Sequence, residues 1–472
     1  MRSVSLRSLR PVIRWDAAFT RRLLYIAIPI MVQNLVSSSL HIIDGVMIGQ
    51  LGDAPYAAVT QATRYTFLFQ LTLFGVASGS SIFLSQFWGS RNIDRMRAVM
   101  GMCLRLTVPV ALVFGGAAVL FPQVIVGFFL PAGDSAEFAK QYLAWVAPGF
   151  LLSAVDVVYS TAMKSSEQTF IPMLAGIVAI LVNTFLNYLL IYGKMGLPAL
   201  GVQGAAIATV LAASVSLIIN VSASYRHKLP SAVTLSHLIK IDMSFFRKFL
   251  KTIFPVILNE GFWALGITMY SVFYGRLGDA AVAAVGIYNT VDQLIFVTIY
   301  GLMHASSIVV GRSIGSGNQD EAFLFAKRLL FCAVMLGLIM GAVVFSSRGW
   351  LVSHFQISQE AKQLAMTLMG FSAFFAWARA FNSINVVGVL RAGGDTVFTM
   401  VLDAGSIWLI GVPLVGIAAL VFRWPVQYVF LCTASEELFK MTIGLPRMLS
   451  RKWIHNVTHM PKKEPAVEYS EE

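Results

Sequence analysis

Charge is what this chain has least of. Asp, Glu, Lys and Arg together make up 12% of its 472 residues, about half the fraction of a soluble domain. That excludes an ordinary water-facing globule. Cysteine is nearly absent: Cys103, Cys332 and Cys432 are the three present. Each falls inside an apolar run, so no disulfide framework is implied. No glycine loop ends in a lysine, and the glycines of Gly311–Gly317 follow an apolar helical run rather than a strand. ATP hydrolysis by this chain is therefore not expected. His41, His304 and His354 have no cysteine or histidine at ligand spacing. No cofactor, no structural metal and no enzymatic reaction is expected.

What fills the chain is apolar: 57% of its residues are hydrophobic. Runs long enough to cross a hydrocarbon core, roughly 20 residues each, recur twelve times. They cover 24–48, 56–84, 98–122, 137–161, 170–192, 201–223, 248–274, 282–312, 323–346, 361–389, 397–421 and 425–446. The chain also repeats itself. Shifted by about 226 residues, Gly49-Gln50-Leu51-Gly52-Asp53-Ala54 meets Gly275-Arg276-Leu277-Gly278-Asp279-Ala280, and Ser80-Ser81-Ile82 meets Ser306-Ser307-Ile308. Gly75 meets Gly301, Gly89-Ser90 meets Gly315-Ser316, and Pro29 meets Pro255. Six spans per repeat give both halves the same orientation. The expected fold is an all-α membrane protein, with twelve transmembrane helices in two six-helix lobes related by a parallel internal repeat.

A net charge of +12 invites a nucleic-acid reading, but its placement argues against one. Basic residues gather in alternate connections: Arg2 to Arg22, Arg91 to Arg97, Lys164, Arg226 to Lys251, Lys327 with Arg328, Arg391, and Arg447 to Lys463. The intervening connections carry few. This positive-inside bias places both termini in the cytoplasm. The first run is too long for a signal-peptide core and carries Asp44, so it reads as a retained helix. The expected divisions are an N-terminal lobe (1–225), a cytoplasmic linker (226–247), a C-terminal lobe (248–450) and a cytoplasmic tail (451–472). The linker is amphipathic and reads as a segment lying on lipid headgroups. The tail after Trp453 is polar and reads as disordered. A multi-pass protein of the cell membrane is expected, monomeric, with small-molecule substrates and lipid as partners and no nucleic acid.

A charge at the centre of a span costs roughly 2.5–3.5 kcal/mol on insertion scales, so charged residues inside the runs are the functional candidates. The first run carries Asp44, with His41, Ser37 and Gln33 on one helical stripe beneath it. Asn183 and Asn187 share a face of the fifth run, and Thr209 lies at similar depth on the sixth. Together they make a candidate proton or sodium site. The repeat does not copy it. Tyr270 stands at the repeat position of Asp44, and Asn34 at that of Glu260. Glu260, beside Asn259, is expected within reach of Arg379 or Asp292. Asn289, Gln293, Tyr300 and His304 form a further polar stripe. Asp156, Asp403 and Arg64 read as interior packing partners. The candidate substrate cavity comprises Gln33, Asn34, Ser37, His41, Asn259, Tyr270, Asn289, Asp292, Gln293 and Arg379.

With these features in order along residues 20–455, the chain resembles the multidrug and toxic compound extrusion (MATE) family. The resemblance rests on Asp44 before Gly49–Gly52 with its echo at Gly275–Gly278, and on Asn183-to-Asn187 followed by Gly201–Thr209. Glu260 and Leu390–Thr396 complete it. It implies two lobes around a central cavity and export of drugs, often cationic, coupled to proton or sodium entry by alternating access. It marks Asp44, Asn183, Asn187 and Thr209 as cation-site positions of the first lobe, with sodium possible at Asp44, Asn183 and Asn187. It marks Glu260 as one of the second lobe. Some members carry an acid where this chain has Asn187. Sodium-type members carry one near Ala380, where this chain has Arg379 adjacent, and that departure shifts the expectation toward proton coupling or a first-lobe sodium site. The alternatives are a flippase for lipid-linked saccharide precursors and an intramembrane enzyme. The first would need several cavity cations, of which only Arg64 and Arg379 stand out; the second would need a catalytic pair, of which only Glu260 with Asp292 stands out.

Overall fold

The computed structural model describes residues 16–239 and 242–458; the side chains of His41, Leu294 and Ile295 lie outside the described set. The described residues contain no strand and twelve long helices. The first six are α1 (Ala17–Gly49), α2 (Asp53–Gly89), α3 (Ile93–Leu120), α4 (Asp134–Ser165), α5 (Phe170–Tyr192) and α6 (Val202–Arg226). The second six are α7 (Met243–Gly275), α8 (Asp279–Gly315), α9 (Gln319–Ser353), α10 (Gln359–Arg391), α11 (Thr396–Val421) and α12 (Val426–Leu449). Eleven are apolar and long enough to cross a membrane, counting α8, which bends by 44° after Gln293, as one. The exception is α12, which carries Glu436, Glu437, Lys440 and Arg447.

Helix starts are encoded twice. Asp16 caps α1 by accepting from the Ala18 amide, and its repeat mate Asp242 caps α7 by accepting from Ser244 and Phe245. Gly52 and Gly278 open α2 and α8 at φ of +111° and +103°, backbone that glycine adopts without a Cβ penalty. Asn92 and Asn318 cap α3 and α9 through the amides three residues on, both at 3.1 Å. Each cap satisfies a helix-end N–H that has no intrahelical partner.

The same symmetry governs how the halves meet. Gly89 of α2 packs on the Arg312 carbonyl of α8, and its mate Gly315 packs on the carbonyl of Gln86, the mate of Arg312. Gly75 packs on Ile257 of α7, and its mate Gly301 packs on Met31 of α1, the mate of Ile257. A side chain at any of the four would meet these neighbours closely. Reciprocal contacts of this kind require a parallel pseudo-two-fold, and small residues permit the close crossing.

Four apolar clusters form the core. Two are shared between halves: Phe19–Ile30 of α1 packs into the second half, and Phe245–Ile253 of α7 packs into the first. The other two are private, one running from Ile48 to Ala206 and one from Tyr270 to Phe430. The lobes are therefore joined at the end that bears the described chain ends. Toward the other end each packs on itself. On α2 this shows as a change from Ser78–Phe87, almost all buried, to an exposed set of Thr60, Thr63, Arg64, Phe67 and Gln70. Arg64 is thus a surface residue, not the interior packing partner expected.

The connection between halves includes a short helix, Leu235–Ile239, held against α3 by Arg105, which donates to the carbonyls of Leu238 and Ile239. Leu235 and Ile239 are exposed, as an amphipathic surface segment requires. Residues 454–458 depart from the expected disorder; the rest of the tail, 459–472, lies outside the described residues. Trp453 is fully buried against Gly393, and residues through Thr458 are docked. The His455 amide donates to Gly393 O at 2.8 Å, Asn456 donates to Ile314 O at 3.1 Å, and Val457 enters the cluster of Phe83, Phe245 and Phe249. The polar composition hid a strap anchored by one tryptophan and one valine.

Candidate functional site

In the first lobe the repeated helix geometry brings four distant residues into one chain of contacts. Asp44 lies near the far end of α1. Asn183 and Asn187, four apart on α5, face it side by side. The Asn187 Nδ2 donates to Asp44 Oδ1 at 2.6 Å and to Asn183 Oδ1 at 3.0 Å. Asn183 Nδ2 reaches Thr209 Oγ1 at 3.5 Å, while the Thr209 hydroxyl donates to Ala205 O at 2.9 Å and so offers a lone pair back. Tyr142 of α4, buried beside Thr209, closes the group; nothing in the sequence reading singles it out. Asn187 is 1% exposed, yet its Oδ1 has no hydrogen-bond partner. No basic side chain pairs with Asp44 among the described ion pairs. A carboxylate and an unpaired amide oxygen side by side form an acceptor-rich pocket, suited to a proton or a small cation.

The candidates beneath Asp44 spread along α1. Gln33 packs on Gly176 of α5 with its Oε1 buried and unpaired. Asn34 is half-buried and Ser37 exposed. The side chain of His41 is outside the described set. On α8, Asn289 and Gln293 are exposed just before the bend.

The second lobe is built differently. Glu260 does not meet Arg379 or Asp292. It accepts from Arg391 at 2.7 Å, and Arg391 also donates to Ser78 Oγ of α2 at 3.0 Å. Arg379 instead holds Asp292 through both terminal nitrogens, at 2.6 and 3.1 Å, and donates to the Tyr288 hydroxyl at 3.0 Å. The correction has a geometric cause. Arg391 reads as a connection residue from its basic neighbours' pattern, but α10 continues through a π-helical stretch, Ile384–Arg391. The wider turns bring the guanidinium inward, where it is 1% exposed. The Glu260–Arg391–Ser78 contact therefore crosses between lobes.

Asn259 and Tyr270 were expected in the substrate cavity, but both are buried with partners inside the second lobe. Asn259 Nδ2 donates to Asp403 Oδ2 at 3.0 Å, and the Tyr270 hydroxyl donates to Glu436 Oε2 at 2.6 Å. Lys440 joins them, 2.7 Å from Asp403 Oδ1 and 2.5 Å from Glu436 Oε1. The sequence reading makes Asp403 a packing partner and passes over Glu436 and Lys440. The rule that flagged Asp44, charge inside a span, applies equally to them. In the first lobe, Asp156 is an interior packing partner, accepting from Ser216 at 2.9 Å and Asn220 at 2.8 Å.

At the joined end, Gln86 of α2 is the hub. Its Nε2 donates to Ala392 O and His455 O, both at 3.2 Å, and its Oε1 accepts from the Val457 amide at 2.8 Å. Lys248 of α7 donates to Val457 O at 3.1 Å. The strap thus ties α2, α7 and the α10–α11 turn together beneath the helix crossing.

The sequence model of the family described as MatE matches residues 29–189 and 255–441, two segments that begin at the repeat-related Pro29 and Pro255. A probable multidrug resistance protein NorM of Thermotoga maritima is 23% identical over 436 residues, covering 92% of this chain and 93% of that protein. A protein of the same description from Idiomarina loihiensis is 25% identical over 401 residues, covering 81% of this chain and 83% of its own. Among solved structures, the outward-facing conformation of a multidrug resistance MATE family transporter superposes with a TM-score of 0.82 at 17% identity, covering 91% of this chain and 96% of that one. The chain, a twelve-helix multi-pass membrane protein of two repeat-related lobes, belongs to the MatE family of transporters and is not an enzyme.

Proposed function

We propose that this protein is a secondary active exporter of drugs or other amphipathic, often cationic organic compounds, driven by inward flow of protons or sodium through alternating access. The observation that carries this is the first-lobe site: Asp44 without a basic partner among the described residues, beside an Asn187 oxygen that is buried and unsatisfied. An acid held by amides alone changes charge when a cation arrives, whereas an acid locked to arginine does not. The names of the Thermotoga and Idiomarina relatives support drugs as the cargo. The positive-inside bias supports cytoplasmic termini, so the sealed end faces the cytoplasm and the lobes part toward the outside. The lobes correspond to 1–225 and 248–450, with 226–247 a cytoplasmic linker and 451–472 a cytoplasmic tail. The protein acts as a monomer in the cell membrane.

In this cycle Asp44 releases its ion inward and binds one from outside. Neutralising Asp44 removes the electrostatic reason for a cationic compound to stay. A flippase would need several unpaired cations to hold a pyrophosphate, but Arg379 and Arg391 are both held by carboxylates, which leaves Arg64 alone of the two cavity cations considered. Dye efflux in everted vesicles, under imposed proton and sodium gradients applied separately, tests the proposal. Efflux driven by one gradient supports it; dye movement indifferent to both contradicts it.

A further inference from the structure

The second lobe contains a buried charge cluster that the coupling scheme above does not use. Lys440 of α12 contacts Asp403 of α11 and Glu436 one turn earlier, at 2.7 and 2.5 Å. Two carboxylates against one ammonium leave one negative charge over. The surrounding groups do not cancel it. From α7, Tyr270 donates to Glu436 and Tyr274 lies beside Tyr270. From α7 and α10, Glu260 and Arg391 neutralise each other. From α8, Tyr300 faces Glu260 and Asp403. From α12, Glu437 adds a further acid and accepts from Asn382 of α10 at 2.8 Å; Arg379 of α10 lies near Glu437, but Asp292 of α8 already pairs with it. Burying an unbalanced carboxylate is costly.

Three further observations converge here. Asn259, 1% exposed, donates to Asp403 but leaves its Oδ1 without a partner. A π-helical turn of α11, Ile407–Gly411, sets Gly411 so close to the Tyr270 hydroxyl that any side chain would collide with it; such turns recur at functional sites. The repeat supplies the third. Tyr270 occupies the repeat position of Asp44, and Glu436 stands one residue past that of Thr209. The cluster is therefore the second lobe's counterpart of the first-lobe site, with the acid moved from the lobe's first helix to its last.

We infer that the Asp403–Lys440–Glu436 cluster is a second proton-binding site, taking one proton onto a carboxylate oxygen and no metal ion. Lys440 Nζ bridges both carboxylates and fills the place a sodium ion would need. The remaining charge is then balanced by a proton, which Tyr270 and Asn259 are placed to accommodate by reorienting their hydrogen bonds. The inference deepens the proton-coupled reading above, but its test needs neither substrate nor gradient.

The test is infrared difference spectroscopy of the full-length protein in lipid, acidified stepwise in potassium buffer and again in sodium buffer. The wild type should show buried carboxylic acid C=O bands from two sites. Glu436→Gln should remove one and Asp44→Asn the other, and the Glu436 band should be the same in sodium. Tyr270→Phe keeps the acid but removes its hydrogen-bond donor, so it should shift the frequency of that band without abolishing it; this variant serves if Glu436→Gln fails to fold. An unchanged spectrum in both variants overturns the inference, as does suppression of the band by sodium at fixed pH. Loss of efflux with both bands intact would count against the export reading and leave the proton site standing.

Discussion

The two lobes share a backbone plan and differ in the chemistry buried inside it. Caps at Asp16 and Asp242, at Gly52 and Gly278, and at Asn92 and Asn318 match one for one. The close crossings at Gly89 and Gly315 are reciprocal. Yet the first lobe places its buried acids among amides and hydroxyls, Asp44 beside Asn187 and Asp156 beside Ser216 and Asn220, with no ion pair to either among the described residues. The second lobe pairs nearly every acid with a base: Glu260 with Arg391, Asp292 with Arg379, Asp403 and Glu436 with Lys440. The repeat preserves what the symmetric crossing needs and leaves the interior free to diverge. An acid without a counter-charge responds to an arriving ion; an acid held by arginine stays put.

That contrast can be broken most forcefully at the pair that spans the lobes. Glu260→Gln or Arg391→Gln alone strands a buried charge, at a cost of about 3–5 kcal/mol. Each should sharply lower the yield of folded protein, and the double variant should recover part of it, as read by detergent-solubilised monodisperse protein. A smaller effect is expected at the strap. Truncation before Trp453 removes the contacts that Gln86 makes with His455 and Val457. The sealed end should then open more often, measured as faster labelling of a Ser85→Cys variant by a thiol reagent added from that side. Smallest of all is Thr209→Val. Its contact to Asn183 is 3.5 Å long, and inter-helix hydrogen bonds in membranes average about 0.6 kcal/mol. Efflux should remain close to wild type, with only a modest rise in the ion concentration needed for half-maximal rate.

Much of the fold was legible because the signals are local and repeated. Apolar runs set the spans, and glycines and asparagines at repeat-related positions set the turns. The first-lobe site was legible for the same reason: Asp44, Asn183, Asn187 and Thr209 are polar residues at matched depth in helices of regular pitch. What escaped depends on departures from that pitch or on tertiary contacts. Arg391 falls near a run's end, and only the π-helical path of α10 turns it inward. Glu436 and Lys440 lie within a span and carry the same signal as Asp44, but only the fold shows that Asp403 of α11 and Tyr270 of α7 join them. The strap at residues 453–458 has no periodicity at all; its burial comes from the hollow beside Gly393 and the phenylalanines of α2 and α7.

The central claim is that Asp44, which joins Asn183, Asn187 and Thr209 with no ion pair among the described residues, couples ion entry to export. Asp44→Asn keeps nearly the same shape and mimics the neutral state, and Asn187 can still bond its amide oxygen. Gradient-driven dye efflux from vesicles carrying this variant, compared with wild type at equal membrane abundance, is the direct measurement. The account predicts normal insertion and loss of the gradient-driven component. Efflux at the wild-type rate would contradict it and leave Asp44 a packing residue.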